Sequence, residues 1–255
     1  MAGLKCEYLG QGVSVFCSDT HRFGTDAVLL HHFALGLEQN KARRAKRIMD
    51  MGCGCGIIPM LFARDAAGAE IYAVDIQEEA ISLVKRAAEY CKTPNVHPIL
   101  CDINELIDKY PELKGSFDLI TMNPPYKRAG SGLMSENEGL NIARFELKCN
   151  FDDICKTAAK MIKPGGRFCV CNRPNRLADM ICAMRKYKIE PKRMMNVCNR
   201  ASDAPMLILV EGVMSGNADM TVCPQFVLED EHGKITQNAL KMYEKWDYER
   251  KTQGE

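Results

Sequence analysis

From residue 47 onward the chain alternates between short apolar runs and longer segments whose apolar residues recur every three or four positions. The runs at 47–51, 69–76, 96–101, 117–122 and 167–171 have the length and composition of buried strands. Between them, the segments 57–67, 77–91, 106–110 and 151–162 predict helices. The clearest is 77–91, which places Ala80, Ile81, Val84, Ala87, Ala88 and Cys91 on one helical face. Asn150 stands where it can cap the helix 151–162, and Lys163-Pro164-Gly165-Gly166 should end it. After Asn175 another helix carries Leu177, Ile181 and Met184 on one side, and strands at 192–197 and 206–214 follow. Strands that alternate with helices imply a mostly parallel sheet covered on both faces, an α/β architecture of about seven strands.

The flanks do not share this rhythm. The N-terminal 1–45 holds strand-like pieces and the run Phe23-Gly24-Thr25-Asp26 ahead of an apolar helix at 27–35, with Thr25 or Asp26 as its cap. The tail has a turn at Glu231-His232-Gly233 and then a charged helix. The economical division is one domain over 1–255, with a cover segment (1–45), a core (46–215) and a C-terminal extension (216–255). Both flanks are expected to cover sheet edges.

Composition narrows the class. At 255 residues and 46% hydrophobic, the chain can fill a sizeable core. A net charge of +1 argues neither for nor against a nucleic-acid partner, so any basic surface must be local. The 13 cysteines include the pairs Cys53/Cys55 and Cys169/Cys171 but no C-x-x-C and no Cys/His cluster at zinc spacing. They read as small core or turn residues in a reducing compartment, and no metal is expected. The five histidines show no catalytic spacing, and His31 and His32, on an apolar helix, read as packed. No leader pattern and no long apolar run is visible, so a cytoplasmic protein without a membrane span is expected.

Two stretches carry chemistry. The first, Asp50-Met51-Gly52-Cys53-Gly54-Cys55-Gly56, joins a strand to a helix, where glycines let backbone approach a ligand at the helix N-terminus. Its G-x-G-x-G spacing lacks the third glycine of the dinucleotide fingerprint. Asp50, two residues before Gly52, would repel a pyrophosphate and attract an ammonium. Asp75 ends the next strand, where an acid can accept both hydroxyls of a ribose, and Asp102 ends the third, where it can accept from an adenine amino group. Three acids at successive strand ends beside a glycine turn resemble the S-adenosylmethionine site of the class I, Rossmann-like methyltransferase fold.

The second stretch, Asn123-Pro124-Pro125-Tyr126, ends the strand 117–122. Prolines donate no backbone N–H, so this turn offers acceptors and an aromatic face. An exocyclic amino group is a poor nucleophile because its lone pair is delocalised. Hydrogen bonds from its two hydrogens to the Asn123 side-chain oxygen and the Pro124 carbonyl would favour the pyramidal nitrogen of the transition state. Tyr126 would stack on the ring and hold the nitrogen in line. Methylation of an amino nitrogen needs no strong base, since the cationic product can lose its proton to water.

Over nearly its whole length the chain also resembles the bacterial tRNA (adenine-N6)-methyltransferases that modify the anticodon-loop adenosine of a valine tRNA. The resemblance is carried by the run from Arg22 to Leu30, by Asp50 to Pro59, and by Asn123-Pro124-Pro125-Tyr126. Gly130-Ser131-Gly132, Asn137-Glu138, Ile142-Ala143-Arg144 and the run from Lys163 to Phe168 extend it. The chain departs from the family at Phe145, where a histidine is usual. The resemblance implies a cofactor set of Thr25, Asp26, Asp50, Gly52, Gly54, Gly56, Asp75, Ile76, Asp102 and Asn123. It implies a tRNA anticodon stem-loop as partner, with Lys127, Arg128 and Arg144 on the substrate and a mobile loop at 127–139. The basic run Lys41, Arg43, Arg44, Lys46, Arg47 offers further phosphate contacts or merely a solvated connection. Two other readings compete: glutamine N5-methylation of a protein such as a release factor, and an inactive S-adenosylmethionine-binding module.

Overall fold

The computed structural model describes residues 3–36, 45–124 and 150–247. Its elements run in chain order β1 (Lys5–Gly10), β2 (Val13–Cys17), α1 (Thr25–Leu35), β3 (Arg47–Met51), α2 (Ile57–Asp65), β4 (Glu70–Asp75) and α3 (Glu78–Cys91). Then follow β5 (Val96–Leu100), α4 (Leu106–Lys109), β6 (Phe117–Met122), α5 (Phe151–Met161), β7 (Ile162–Asn172) and α6 (Leu177–Lys186). The last are β8 (Ile189–Cys198), β9 (Leu207–Met214), β10 (Thr221–Val222), β11 (Phe226–Val227) and α7 (Gln237–Asp247). The main sheet has the order β10-β8-β9-β7-β6-β3-β4-β5, with β11 also on β8. The strands β5, β4, β3, β6 and β7 are parallel, and β9 runs antiparallel between β7 and β8. The expected seven long strands are present in the main sheet, and two further strands of two residues each raise that sheet's described total to nine.

Several boundaries differ from the sequence reading for local reasons. The helix α1 starts at Thr25 with Gly24 as its cap, and no side chain closes that end. Thr25 and Asp26 therefore lie in the first turn instead of capping it. Lys163-Pro164-Gly165-Gly166 does more than stop α5: β7 already begins at Ile162, opposite Phe117, and pairing resumes at Leu119 with Arg167. Those residues form a bulged excursion, where Pro164 and Gly165 cost the ladder least. Asn150 caps α5 as expected, in a reciprocal box with Asp153. Among the described residues, the C-terminal flank covers an edge, through β10 and β11 on β8. The hairpin β1–β2 pairs with itself and packs against α2 and α3.

The period of two along each strand sorts the core into two layers. Ile48, Ile71, Leu119, Cys169, Cys171 and Leu209 join the layer with α1, α2 and α3, while Met49, Val74, Ile120, Phe168 and Val210 join the layer with α5 and α6. The first layer also holds a polar group where α1 crosses β7 and β9. Glu211 accepts from Arg167 Nη1 at 2.8 Å and from Arg193 Nε and Nη2 at 3.2 and 2.9 Å. The same two arginines donate to the last carbonyls of α1, Arg167 to Ala34 at 3.0 Å and Arg193 to Phe33 at 2.9 Å. The Arg193 guanidinium also lies over the Phe33 ring, 4.3 Å from its centre. Cations thus meet the carbonyls at the helix end, where they suit the negative end of its dipole; that of Phe33 also accepts from Gly36 N at 3.1 Å.

Burial alone would push the Glu211 carboxyl up, but Arg193 and Arg167 outweigh it and hold it below the usual carboxylate range. A depressed acid contributes stability above its unfolded value and loses it as pH falls through the folded one. Glu211→Gln takes the carboxylate from a buried Arg167 and a half-buried Arg193 and should cost about 3 kcal/mol at neutral pH, the lower end for a broken buried pair. Urea unfolding at pH 7 and in acid is the check: the deficit should shrink as the parent's own carboxylate is titrated.

Candidate functional site

Four parallel strands end at one edge of the sheet and deliver the residues that the sequence singles out. Asp50 pairs with Ala73 on one side and Thr121 on the other, so the ends of β3, β4 and β6 lie level. Beyond β3 the chain makes a tight turn in which Gly52 and Cys53 both donate to the Val74 carbonyl, at 2.8 and 3.0 Å. Gly56 then leads into α2. It has a φ of +85°, and a Cβ there would lie 2.7 Å from a methyl of Val84. That position admits only glycine on both conformational and steric grounds. Gly54, at φ +53°, has no atom within 4 Å of where a Cβ would be, so its backbone borders open space.

Asp75 holds this turn. One carboxylate oxygen accepts from Gly54 N at 2.9 Å and the other from Gln77 N at 3.0 Å. Each oxygen keeps a further lone pair, so the carboxylate is fixed in place yet still able to accept hydroxyls. Ile76 beside it is half exposed, an apolar surface at the rim of the crevice. Asp102, past the end of β5, accepts from Asn104 N at 2.9 Å and is partly exposed. An open backbone, an anchored acceptor, an exposed aliphatic and a second acid fit a ligand made of a ribose and a flat amine-bearing ring.

The structure differs from the sequence reading at Asp50. Its side chain lies under the turn at 1% exposure and accepts from the Thr121 hydroxyl at 2.6 Å. Burial lifts its pKa to about 8, with the Thr121 bond opposing and Asp75 adding to the shift. At neutral pH this carboxyl is mostly protonated, so it does not stand in the crevice as a free charge.

Asn123 follows β6 at the same edge. Its Nδ2 donates to Asp26 at 3.1 Å, and its Oδ1 accepts from the Cys171 thiol at 3.0 Å. Asp26 comes from the first turn of α1, and Cys171 from the end of β7, whose register puts it beside Asn123. Sequence reasoning placed Asp26 near the cofactor and Cys171 in the core, and it missed both contacts. A signal for the second existed, since Cys169 and Cys171 share one strand face. Pro124 is described and buried; Pro125, Tyr126, Lys127, Arg128 and Arg144 lie outside the described residues, as do Lys41, Arg43 and Arg44. Thr25 is exposed at the start of α1.

A cavity of about 680 Å³ lies elsewhere, between α1, α2, β8 and the C-terminal segment. Its charged walls are largely paired already, Arg64 with Asp65 and Arg193 with Glu211. The crevice at the strand ends has the chemistry and the cavity has the volume; the chemistry decides.

A family model described as a methyltransferase domain matches residues 42–241, and the chain belongs to that family. Its sheet order and crevice are those of the class I, Rossmann-like fold of S-adenosylmethionine-dependent methyltransferases. The crystal structure of a predicted O-methyltransferase from Agrobacterium tumefaciens superposes with a TM-score of 0.67 at 19% identity, covering 87% of this chain and 96% of that one. An S-adenosylmethionine-dependent methyltransferase from the same organism gives 0.56 at 13% identity, over 84% and 71%. Among curated relatives, the tRNA1(Val) (adenine(37)-N6)-methyltransferase of Parabacteroides distasonis is 26% identical over 190 residues, 74% of this chain and 76% of that protein. Its namesake from Yersinia pseudotuberculosis is 28% identical over 151 residues, 58% of this chain and 56% of that protein. The chain thus matches little more than half the length of the second relative.

The burial of Asp50 has a thermodynamic consequence. An unfolded aspartate ionises near 3.8, whereas the folded one keeps its proton to about 8. Stability is therefore fully present below the unfolded value and falls as pH rises towards the folded one, by up to about 1.4 kcal/mol per pH unit. Asp50→Asn keeps an acceptor for Thr121 and removes the titration. It should unfold at higher denaturant than the parent near pH 8, with the gap closing towards pH 4. An equal gap at both pH values would contradict the buried, protonated carboxyl.

Proposed function

We propose that this chain transfers a methyl group from S-adenosylmethionine to N6 of an adenosine in a tRNA anticodon loop, position 37 of a valine tRNA as in the relatives' names. The observation that carries the reading is Asn123. It ends β6 next to the glycine turn, and its carboxamide is held at both ends, which suits a residue that must meet a substrate in one orientation.

In this reading Asp75 accepts from the ribose hydroxyls, Ile76 lies along the adenine, and Asp102 accepts from the adenine amino group. The backbone at Gly52, Gly54 and Gly56 lets the ligand approach, and Thr25 and Asp26 lie beside it. The cofactor supplies an electrophilic methyl on a sulfonium. Asn123 Oδ1 and the Pro124 carbonyl accept the two hydrogens of the target amino group, drawing electron density towards the nitrogen as it becomes a nucleophile. Tyr126 provides the stacking face, and Lys127, Arg128 and Arg144 take phosphates. A loop adenosine enters such a site at little unpairing cost.

Two experiments test this. Titration calorimetry of Asp75→Ala with S-adenosylmethionine should show affinity weaker by about one to two decades, the scale of a lost charge-assisted hydrogen bond; an unchanged dissociation constant would reject the ribose assignment. Incubation with labelled cofactor and either unmodified tRNA or a glutamine-containing release factor tests the substrate. Label should appear as N6-methyladenosine in the tRNA and fall by about a hundredfold in Asn123→Ala. Label on the protein alone would favour glutamine methylation, and binding without transfer to either would favour an inactive module.

A further inference from the structure

A carboxamide has two unlike ends, and they exchange places on a half-turn of the side chain. The amino nitrogen in the proposed reaction brings two N–H donors, so it needs the Asn123 oxygen; the Asn123 NH2 in the same place would set donor against donor. Something must choose between the two.

Two neighbours from different elements meet the carboxamide, and one of them discriminates between its ends. A carboxylate is acceptor-only, so of the two ends only Nδ2 suits Asp26, at 3.1 Å. The Cys171 thiol, a weak donor that can also accept, donates to the oxygen at 3.0 Å and so fits the orientation that Asp26 sets. A flipped amide would put Oδ1 against the Asp26 carboxylate, two acceptors without a proton between them. The oxygen has two lone pairs and Cys171 takes one, which leaves the other for a substrate hydrogen. Asp26 is 97 residues from Asn123 in the chain, and it reaches this point because α1 is fixed at its far end by Arg167 and Arg193.

We infer that Asp26 is a positioning residue: it fixes the direction of the Asn123 carboxamide, so that the target amino group meets Oδ1 and not Nδ2. The inference rests on the amino-methyltransferase reading above and adds to it the residue that orients the acceptor. It also separates two roles for Asp26, a contact near the cofactor and a constraint on the neighbouring amide.

A mere tether between α1 and β6 would predict that weakening the pair lowers Tm together with turnover. An orienting role predicts a loss of kcat without a loss of Tm, and none where the group has two like ends. Asp26→Asn keeps size and hydrogen bonding but can accept or donate, so Asn123 gains access to both orientations. Its kcat at saturating cofactor should fall by about threefold to tenfold, the scale of one mis-set hydrogen bond, with little change in Tm. In Asn123→Asp both ends of the group are oxygens, so there is no orientation to choose, but near pH 8 two carboxylates face each other. Adding Asp26→Asn there restores a donor, and kcat should rise above that of Asn123→Asp alone. If Asp26→Asn lowers kcat by the same factor in both backgrounds, the inference is overturned while the methyltransferase reading stands.

A readout that needs no turnover completes the test. The Asn123 side-chain amide resonance, assigned by its loss in Asn123→Asp, should shift and exchange faster with solvent in Asp26→Ala. An unchanged resonance overturns the inference. A parent protein that methylates no tRNA would overturn the reading, and the resonance would still decide whether Asp26 orients the amide.

Discussion

The attachment of α1 to the sheet through Glu211, Arg167 and Arg193 is the constraint on which the site's geometry depends. α1 is apolar on several sides and would be held in place only loosely by packing, since hydrophobic contact has no direction. The arginines remove that freedom. They reach the carbonyls of Phe33 and Ala34 while paired to a carboxylate on β9, so the helix can neither slide nor rotate without breaking charge-assisted bonds in a buried place. The eight residues from Asp26 to Ala34 rise about 12 Å along a helix. The four from Arg167 to Cys171 rise about 13 Å along a strand. These lengths match, and so Asp26 arrives level with Cys171 and with Asn123 next to it.

Such a cluster is poor evidence for stability as such, because desolvating three charges costs about as much as their attraction returns. Its effect is specificity of position. A well-packed apolar substitute would hold α1 on the sheet, but nothing in it would set the height of the first turn. The same layer contains the other polar residues of the site, Thr121 and Asp50, on strand positions that alternate with core residues. One face of the sheet thus carries the staple at one end and the chemistry at the other, while the opposite face is filled by residues such as Met49, Ile120 and Phe168.

Most of the frame was legible because it is written in local periodicity. β3 and β6 fall on the expected residues, α3 and α5 within a residue of theirs, and the capping of α5 by Asn150 follows from side-chain chemistry alone. The site's cofactor side was legible for a similar reason, since glycines and strand-end acids declare themselves by position. What sequence could not show is what depends on register between strands far apart in the chain. Arg193 meets Glu211 across an antiparallel pair, and Arg167 and Asn123 meet α1 only after the sheet is assembled. The bulge after Ile162 was hidden by the very glycines that read as a stop signal. Asp50 looked like a surface charge because its neighbours in sequence are turn residues, and its neighbours in space are not.

The two aspartates flanking the glycine turn, Asp50 and Asp75, show how one loop divides labour between like residues. Asp75, itself 5% exposed, spends one lone pair of each oxygen on the backbone of the turn and of the next helix, which pins it and leaves one pair on each oxygen to accept. Asp50 sits a strand position too deep to do the same; its partner is the Thr121 hydroxyl, and burial favours its neutral form. Two ionised acids so near one another in a low-dielectric turn would repel, and Asp75 does raise the Asp50 pKa. Keeping the deeper acid protonated avoids a second negative charge beside Asp75, the acid that the turn's backbone anchors. The cost falls on the fold, which must hold a proton the unfolded chain would release, and it is tolerated because the layer beneath is tied down elsewhere.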